Sequence, residues 1–274
     1  MKTIALVGSP NCGKTTLFNA VTGLHQHVGN WAGVTVERKE GTQNGVKWVD
    51  LPGVYALSPY SAEEKVTIDY LSGGDYDEIL QIVDATALAR GLYLTHQLTQ
   101  LSRPMTIALN MMDECRKRGI TIDTEELSAR LGIRVLPMSA RDGTGVPELL
   151  RALKDGAKTP KSPPSAPYTA IIQRMKSALP AGNLPSEFRA WKALEGDEMG
   201  AAEAARAGQA QLRAQFGMSA AAALSALRYA WADDLCATVR RGNPDNPTRA
   251  DVIDALVLHL SLIHISEPTR PLYI

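Results

Sequence analysis

The stretch Gly8-Ser9-Pro10-Asn11-Cys12-Gly13-Lys14-Thr15 fits the pattern G-x-x-x-x-G-K-[ST] and directly follows the apolar run Thr3 to Val7. The run predicts a buried strand, and Leu17 to Thr22 predicts a helix, so the pattern lies in the strand-loop-helix setting of a phosphate-binding loop. Such a loop surrounds phosphates with backbone N–H groups and directs the positive end of the next helix towards them. Lys14 adds an ammonium group for the phosphates, and Thr15 adds a hydroxyl ligand for Mg²⁺.

A second motif, Asp50-Leu51-Pro52-Gly53, ends the apolar run Val46 to Val49. A strand in this place would bring the Asp50 carboxylate to the Mg²⁺ shell and the Gly53 N–H to a γ-phosphate. Taken alone, either motif can be an ordinary turn.

Two further motifs indicate which base the nucleotide carries. Asn110-Met111-Met112-Asp113 follows the run Met105 to Leu109, and Ser139-Ala140-Arg141 follows Ile133 to Met138. The Asp113 carboxylate can accept two hydrogen bonds from the guanine ring N–H and exocyclic amine, an arrangement that adenine does not offer, so the wrong base would leave a buried charge unpaired. A backbone N–H of the last motif can donate to the guanine oxygen. Four motifs in this order after successive strands predict a guanine-nucleotide switch.

The four motifs resemble those of the translation-factor-related small GTPases. Two longer stretches resemble one family, ferrous iron transport protein B: Val28 to Gly41 is similar to its first switch region and Asp50 to Ser61 to its second. These motifs cover most of residues 1–160, and beyond them only the layout is similar. The resemblance implies an α/β fold, namely a P-loop GTPase domain with a mostly parallel sheet and flanking helices, followed by a small all-α domain.

The resemblance also implies roles for residues outside the phosphate-binding loop. Thr35 resembles the switch threonine that closes on Mg²⁺ and the γ-phosphate, which makes Thr15, Thr35 and Asp50 the expected Mg²⁺ ligands. As an alternative, or in addition, Val34-Thr35-Val36 starts a strand. Asn11 occupies the position of the asparagine of potassium-activated GTPases. Its side-chain oxygen would hold K⁺ together with backbone carbonyls near Asn30, Trp31 and Ala32. Asn11 is otherwise a turn residue that stabilises the loop.

GTP or GDP, Mg²⁺ and K⁺ are therefore the expected ligands, and Lys14, Asn11 and Thr35 are the expected catalytic residues. The predicted nucleotide-binding residues are Gly8, Asn11, Cys12, Gly13, Lys14, Thr15, Thr16, Gly33, Val34, Thr35, Asp50, Gly53, Asn110, Met111, Asp113, Ser139, Ala140 and Arg141.

One departure from the Ras pattern bears on mechanism. Val54 follows Asp50-Leu51-Pro52-Gly53, where Ras-like proteins place the glutamine that orients the attacking water. Because valine cannot orient water, we expect slow hydrolysis that depends on backbone groups and on positive charge near the phosphates. Glu63 and Glu64 are possible polar partners for a water, although they more simply begin a helix with Ser61 as its N-cap.

Composition agrees with a soluble switch protein. The chain has 274 residues, 45% of them hydrophobic, and its 29 basic and 29 acidic residues give a formal net charge of zero. A balanced charge gives no electrostatic footprint for a nucleic acid or an anionic membrane face. Three widely spaced cysteines and five histidines suggest no disulfide framework, zinc site or iron site, and a reducing cytosol is the natural setting. Neither a signal peptide nor a run of about 20 apolar residues is visible.

Members of the family continue into a polytopic permease that carries Fe²⁺. The resemblance thus implies that this chain is the cytosolic amino-terminal part of such a protein, at the cytoplasmic face of the bacterial inner membrane. GTP, the permease portion and small accessory Feo proteins are the expected partners, and oligomeric state is left open. By itself the chain would hydrolyse GTP without transporting anything.

The sequence divides into four segments. Residues 1–157 form the expected GTP-binding domain. Its predicted helices are Leu17–Thr22, Glu64–Leu71, Leu88–Leu101, Thr124–Leu131 and Pro147–Leu153. Asp123 begins a capping box before the fourth of them. Residues 158–167 carry four prolines and predict an extended, exposed linker. Residues 168–260, with alanine-rich stretches at Phe188–Gln215 and Ala220–Arg241, predict a helical domain. Residues 261–274 resemble a translated sequencing adapter and are expected to be a non-native tail that packs against nothing.

The helical domain is expected to restrain nucleotide release and relay the switch state, or to be a generic spacer, with Trp191, Trp231 and Leu235 as core anchors. Two other classes of protein share some of these features. A ribosome- or tRNA-associated GTPase has the nucleotide motifs, but it usually adds a basic RNA-binding module that this neutral chain lacks. A scaffold that binds GDP without turnover is compatible with Val54.

Overall fold

A computed structural model describes residues 1–242, except 24–25, 59, 167 and 198. The last part of the predicted helical domain, residues 243–260, and the predicted tail, residues 261–274, therefore lie outside the described residues.

The strands in the described residues are β1 (Lys2–Gly8), β2 (Gln26–Asn30), β3 (Glu37–Gln43), β4 (Val46–Asp50), β5 (Glu78–Asp84), β6 (Met105–Asn110), β7 (Thr121–Ile122), β8 (Arg134–Pro137) and β9 (Arg240–Arg241). The helices are α1 (Lys14–Thr22), α2 (Ala62–Gly73), α3 (Leu88–Thr99), α4 (Met112–Lys117), α5 (Thr124–Leu131), α6 (Val146–Lys154), α7 (Thr169–Ala178), α8 (Ser186–Glu195), α9 (Ala202–Phe216) and α10 (Ala220–Val239).

A seven-stranded sheet in the order β2-β3-β4-β1-β5-β6-β8 organises the first part of the chain. Strands β4, β1, β5, β6 and β8 run parallel to one another, and β2 and β3 add an antiparallel edge. The predicted mostly parallel α/β sheet is confirmed. Because its parallel strands end at one edge, the segments after β1, β4, β6 and β8 converge there, which is where all four nucleotide motifs begin.

The five predicted helices are confirmed, with ends that differ by at most three residues. Two predicted caps are also confirmed. The Ser61 hydroxyl accepts a hydrogen bond from the Glu64 N–H at 3.1 Å, and the Asp123 carboxylate accepts one from the Glu126 N–H at 2.9 Å. The prediction that Val34-Thr35-Val36 starts a strand is wrong, since β3 begins at Glu37 and the residues before it form a turn.

Side chains that alternate along the central strand build a core on each face of the sheet. Ala5 and Val7 of β1 join one apolar cluster, and Ile4 and Leu6 join the other. This period of two is what a strand buried on both faces requires.

Helices α7 to α10 build a third apolar cluster around Trp191, Leu194 and Leu224. The alanine-rich stretch from Phe188 to Gln215 is not one helix, because residues 196–201 separate α8 from α9 and begin at Gly196 with φ 115°. As predicted, Trp191 and Leu235 are buried, whereas Trp231 is half-buried against the first cluster. Helix α10 also packs along α3, so helical residues share a core with the sheet.

The proline-rich segment is only partly the exposed linker that its composition predicts. The Lys158 carbonyl accepts a hydrogen bond from the Met105 N–H at 2.9 Å, the Lys161 N–H donates to the Leu131 carbonyl at 2.9 Å, and Pro160 is buried. The backbone of residues 158–161 is therefore hydrogen-bonded to β6 and α5, although Lys158, Thr159 and Lys161 are exposed.

Candidate nucleotide-binding site

The loop between β1 and α1 has the backbone shape that its glycines predict. Asn11 and Gly13 lie in the left-handed region, with φ of 63° and 89°. A Cβ at Gly8 would lie 2.6 Å from the Ile82 carbonyl oxygen, and a Cβ at Gly13 would lie 2.1 Å from the Asn110 side-chain nitrogen. Both positions thus need glycine for close approach, and Gly13 needs it for conformation as well.

Lys14 and Thr15 of α1 meet Asp50 at the end of β4. The Lys14 ammonium donates to Oδ1 of Asp50 at 2.5 Å, and the Thr15 hydroxyl donates to Oδ2 at 3.4 Å. Lys14 and Asp50 are both buried. A hydroxyl and a carboxylate side by side are the hard oxygen donors that Mg²⁺ prefers, so these residues fit the predicted metal.

Asn110 connects three of the four motifs. Its side-chain nitrogen donates to the Cys12 carbonyl at 2.8 Å, and its side-chain oxygen accepts from the Ala140 N–H at 2.8 Å. Met111, with φ 64°, turns the chain so that Asp113 lies in the first turn of α4. One buried amide therefore fixes the phosphate-binding loop relative to the two loops predicted to hold guanine.

Two adjoining clefts run along this edge of the sheet, with cavity volumes of about 520 Å³ and 280 Å³. The larger one lies over the phosphate-binding loop and is lined by Ser9, Pro10, Asn11, Gly13, Lys14, Thr15, Thr16, Gly53 and Met111. The smaller one is lined by Gly13, Thr16, Asn110, Met111, Asp113, Glu114, Ser139, Ala140 and Arg141. Gly13, Thr16 and Met111 belong to both, so the clefts are continuous. Ser9, Pro10 and Glu114 were not among the predicted site residues, because none of them stands at a fixed position of a nucleotide motif.

Three of the predicted site residues line neither cleft, namely Gly8, Cys12 and Asp50. Cys12 packs into the core, and burial raises the pKa of its thiol to about 11, so the thiol stays protonated and unreactive at neutral pH. Its contribution to a ligand would come from backbone groups.

In the part of the chain that the structure describes, no residue of the first switch segment lines either cleft. Gly33 and Thr35 are exposed, and neither they nor Asn30, Trp31 or Val34 line either cleft. The Trp31 N–H donates to the Val36 carbonyl at 2.9 Å, and the Trp31 carbonyl accepts from the Val34 N–H at 3.3 Å. The structure thus brings Thr15 and Asp50 together but not Thr35, and the Trp31 carbonyl is engaged within its own turn.

Two hydrogen bonds to Leu57 from other helices hold the second switch segment, and the sequence predicts neither of them. The Leu57 N–H donates to the Gln97 side chain of α3 at 2.8 Å, and the Lys192 ammonium of α8 donates to the Leu57 carbonyl. Val54 is buried with its side chain in the core, so it cannot touch a water beside the phosphates. The Glu64 carboxylate is held by the Ser58 hydroxyl at 2.8 Å. No local pattern identifies Gln97 or Lys192, because each lies on a helix far from Leu57 in sequence.

A family model described as Ferrous iron transport protein B matches residues 2–153. This chain belongs to that family. The Fe(2+) transport protein A/Fe(2+) transporter FeoB fusion protein of Porphyromonas gingivalis is 44% identical over 71% of the chain and 25% of its own length. The Fe(2+) transporter FeoB of Escherichia coli K12 is 38% identical over 94% of the chain and 36% of its own length. The chain therefore spans roughly a quarter to a third of the length of these curated relatives.

A solved structure of the family supports the fold assignment. The crystal structure of a GDP-bound point mutant of the S. thermophilus FeoB G-domain superposes with a TM-score of 0.80 at 36% identity, and the match covers 88% of this chain and 100% of that one. The chain thus has the fold of a FeoB G-domain. No helix in the described part of this FeoB chain combines the length and apolar character needed to cross a bilayer.

Proposed function

We propose that this chain is the GTP-binding and slowly GTP-hydrolysing regulatory part of a bacterial Fe²⁺ transporter. The observation that carries the proposal is the Asn110 bridge, which joins the phosphate-binding loop to the Asp113 and Ala140 loops in one continuous cleft. In this arrangement a diphosphate or triphosphate lies on the N–H groups of residues 11–16, and the base lies between Asp113 and residues 139–141.

Charge neutralisation is the main chemical contribution of this site. When phosphates enter, the Lys14 ammonium exchanges the Asp50 carboxylate for phosphate oxygens, and Asp50 and Thr15 are left to hold Mg²⁺. Mg²⁺ supplies positive charge to the phosphate oxygens when it is bound. Asn11 lines the same cleft, so its amide oxygen would be available to a monovalent cation beside the phosphates. Thr35 reaches the metal only if the first switch segment moves into the cleft.

Hydrolysis should be slow. Val54 is buried, so no side chain at that position orients the attacking water. We expect turnover well below the roughly 1–100 s⁻¹ typical of kinases, rising when K⁺ occupies the site at Asn11. The nucleotide state would reach a membrane permease, which lies in the longer family members, through the switch segments and helices α7 to α10. The hydrogen bonds that Leu57 of the second switch segment makes with Gln97 and Lys192 support such a route.

The test is nucleotide hydrolysis by the chain in matched K⁺ and Na⁺ buffers, with GTP, XTP and ATP as substrates. We expect hydrolysis of GTP alone, faster in K⁺, and loss of the K⁺ effect in Asn11→Ala. Asp113→Asn should exchange preference from GTP to XTP, because xanthine carries a carbonyl where guanine carries the exocyclic amine.

Two outcomes would overturn parts of the proposal. Equal rates in K⁺ and Na⁺ would remove the role of Asn11. GDP binding without any turnover in K⁺ would make the chain a nucleotide-binding scaffold.

A further inference from the structure

The turn of residues 31–36 in the first switch segment lines neither nucleotide cleft, and its Trp31 ring contacts two side chains outside the turn. The Trp31 ring meets the Tyr70 ring of α2 edge-to-face, with centroids 5.4 Å apart and an interplanar angle of 68°. The Arg38 guanidinium of β3 lies over the Trp31 ring, 4.8 Å from its centroid. Both arrangements are the attractive ones for aromatic and cation–π pairs.

Tyr70 is a fixed support for this contact. Its hydroxyl donates to the Asp75 carbonyl at 3.2 Å, and its ring stacks on Tyr76 with centroids 6.0 Å apart. Tyr76 is itself buried, and its hydroxyl donates to the Leu71 carbonyl at 3.0 Å. Trp31 therefore docks onto a support that belongs to the body of the domain.

This docking withholds two groups that the switch segment would bring to the nucleotide. The same turn that seats Trp31 uses the Trp31 carbonyl as an acceptor for the Val34 N–H and leaves Thr35 exposed. Gly33, with φ +76°, gives the turn its shape. For Thr35 to enter the cleft, the turn must open. The Trp31 ring must then either leave the Tyr70 ring or move together with it.

We propose that Tyr70 of α2 and Arg38 of β3 are positioning residues that latch the turn of residues 31–36 through Trp31, and that the strength of this latch sets how strongly the chain prefers GTP over GDP. The proposal rests on the nucleotide-binding function proposed above. GTP needs the open state, in which the turn has left Tyr70, because Thr35 would then act at the γ-phosphate. GDP has no γ-phosphate and does not need this state. The latch therefore lowers the apparent affinity for GTP in proportion to the fraction of molecules in the open state, and it leaves the affinity for GDP unchanged.

The decisive measurement is the ratio of affinities for a non-hydrolysable GTP analogue and for GDP, in Mg²⁺ and K⁺. Tyr70→Leu keeps an apolar side chain but removes the aromatic ring. We expect it to tighten binding of the GTP analogue by roughly two- to tenfold, the range for one aromatic pair, without changing GDP affinity. Tyr229→Leu is the matched control, since it breaks the Tyr93–Tyr229 pair, 4.5 Å between centroids, outside the switch.

A second readout follows the tryptophan directly. Subtracting the fluorescence of Trp31→Phe from that of the unaltered chain isolates the Trp31 signal. We expect acrylamide to quench that signal more when the GTP analogue is bound than when GDP is bound. In Tyr70→Leu the stronger quenching should already be present with GDP.

Arg38→Gln provides an independent variant if Tyr70→Leu does not fold. The Glu40 carboxylate forms ion pairs with Arg38 at 2.6 Å and with Lys47 at 3.2 Å. Lys47→Gln is therefore the matched control, because it removes an ion pair of Glu40 but leaves the Arg38–Trp31 contact in place. Arg38→Gln should shift the affinity ratio in the same direction as Tyr70→Leu, and Lys47→Gln should not. An unchanged ratio in both Tyr70→Leu and Arg38→Gln would overturn the latch, whereas failure of the unaltered chain to bind either nucleotide would overturn the proposed function itself.

Discussion

At the scale of single residues, Gly13 has two separate reasons to lack a side chain. Its φ of +89° strains any other residue, and its Cβ would lie 2.1 Å from the nitrogen by which Asn110 holds the Cys12 carbonyl. Strain alone costs stability, while displacement of Asn110 disturbs the nucleotide cleft.

We predict that Gly13→Ala lowers the affinity for GDP by roughly tenfold or more, because Asn110 loses a buried hydrogen bond worth about 1–3 kcal/mol when left unpaired. Titration with a fluorescent GDP analogue measures this. Gly45→Ala is the control, since Gly45 has a similar φ of +75° but no heavy atom within 4 Å of a Cβ. Gly45→Ala should lose a similar amount of stability but keep its affinity for GDP. Equal GDP affinities in Gly13→Ala and Gly45→Ala would contradict the role given to Asn110.

How far the sequence predicts the site depends on whether a residue acts within its own motif. Lys14, Asp50 and Asp113 were predicted because each motif begins where a strand ends, and parallel strands end together. Trp31 was predicted to offer its carbonyl to K⁺, but its side chain docks on Tyr70. That contact joins segments 39 residues apart, and no local pattern encodes it.

At the scale of elements, strands β1, β4, β6 and β8 could be predicted because buried parallel strands are continuous apolar runs. The antiparallel strands β2 and β3 could not, since both sequences are mostly polar. Strand β2 is largely exposed and β3 is mostly half-buried, and β3 forms by pairing with β4 across the turn at Asn44 and Gly45. Helix α4 is only six residues long, too short for a periodic pattern.

The junction of α3, α8 and α10 contains a buried histidine. The His96 ring lies edge-on to Trp191 and Trp231, with centroids 5.3 Å and 5.2 Å away, and its Nδ1 lies 3.3 Å from the Gln100 amide nitrogen. Burial, assisted by the positive charge of Arg228, lowers the pKa of His96 to about 3. His96 is therefore neutral in the folded chain at any pH near neutrality.

We predict that His96 makes the folded chain less stable as pH falls below about 6.5, the ordinary pKa of histidine. In the unfolded chain His96 takes up a proton below that pH, while in the folded chain it stays neutral down to a pH of about 3, so acid favours unfolding. At pH 5 the loss relative to pH 8 should be about 2 kcal/mol from this group.

Urea unfolding between pH 5 and 8 tests the prediction by comparing the unaltered chain with His96→Phe, which keeps the ring contacts but does not titrate. The variant should lose about 2 kcal/mol less than the unaltered chain over this range. Replacement of the exposed His27 by Phe controls for the removal of a histidine as such. Parallel pH profiles for the unaltered chain and His96→Phe would refute the assignment.

At the scale of the whole molecule, the sheet and the helices that follow it share apolar core. Phe188, Ala232 and Leu235, from α8 and α10, belong to the same buried cluster as the strands and α3. The boundaries at residues 157 and 168 remain predictions from composition, but they do not separate two independent cores. A core shared in this way should couple the unfolding of both parts.

We therefore predict one cooperative thermal transition for the described part of the chain, with equal calorimetric and van't Hoff enthalpies. Leu235→Ala, in the shared cluster, and Leu212→Ala, in the cluster formed by the helices alone, each remove a buried leucine at a cost of about 2–5 kcal/mol. Because the transition is shared, both variants should lower the same Tm, by roughly 5–15 °C for a chain of this size. Differential scanning calorimetry with and without GDP tests this prediction. The proposed GDP site lies in the sheet part, so GDP should raise the Tm of the whole molecule if the two parts are coupled. Two transitions, of which Leu212→Ala lowers one and GDP raises the other, would show instead that the helices α7 to α10 unfold independently of the nucleotide site.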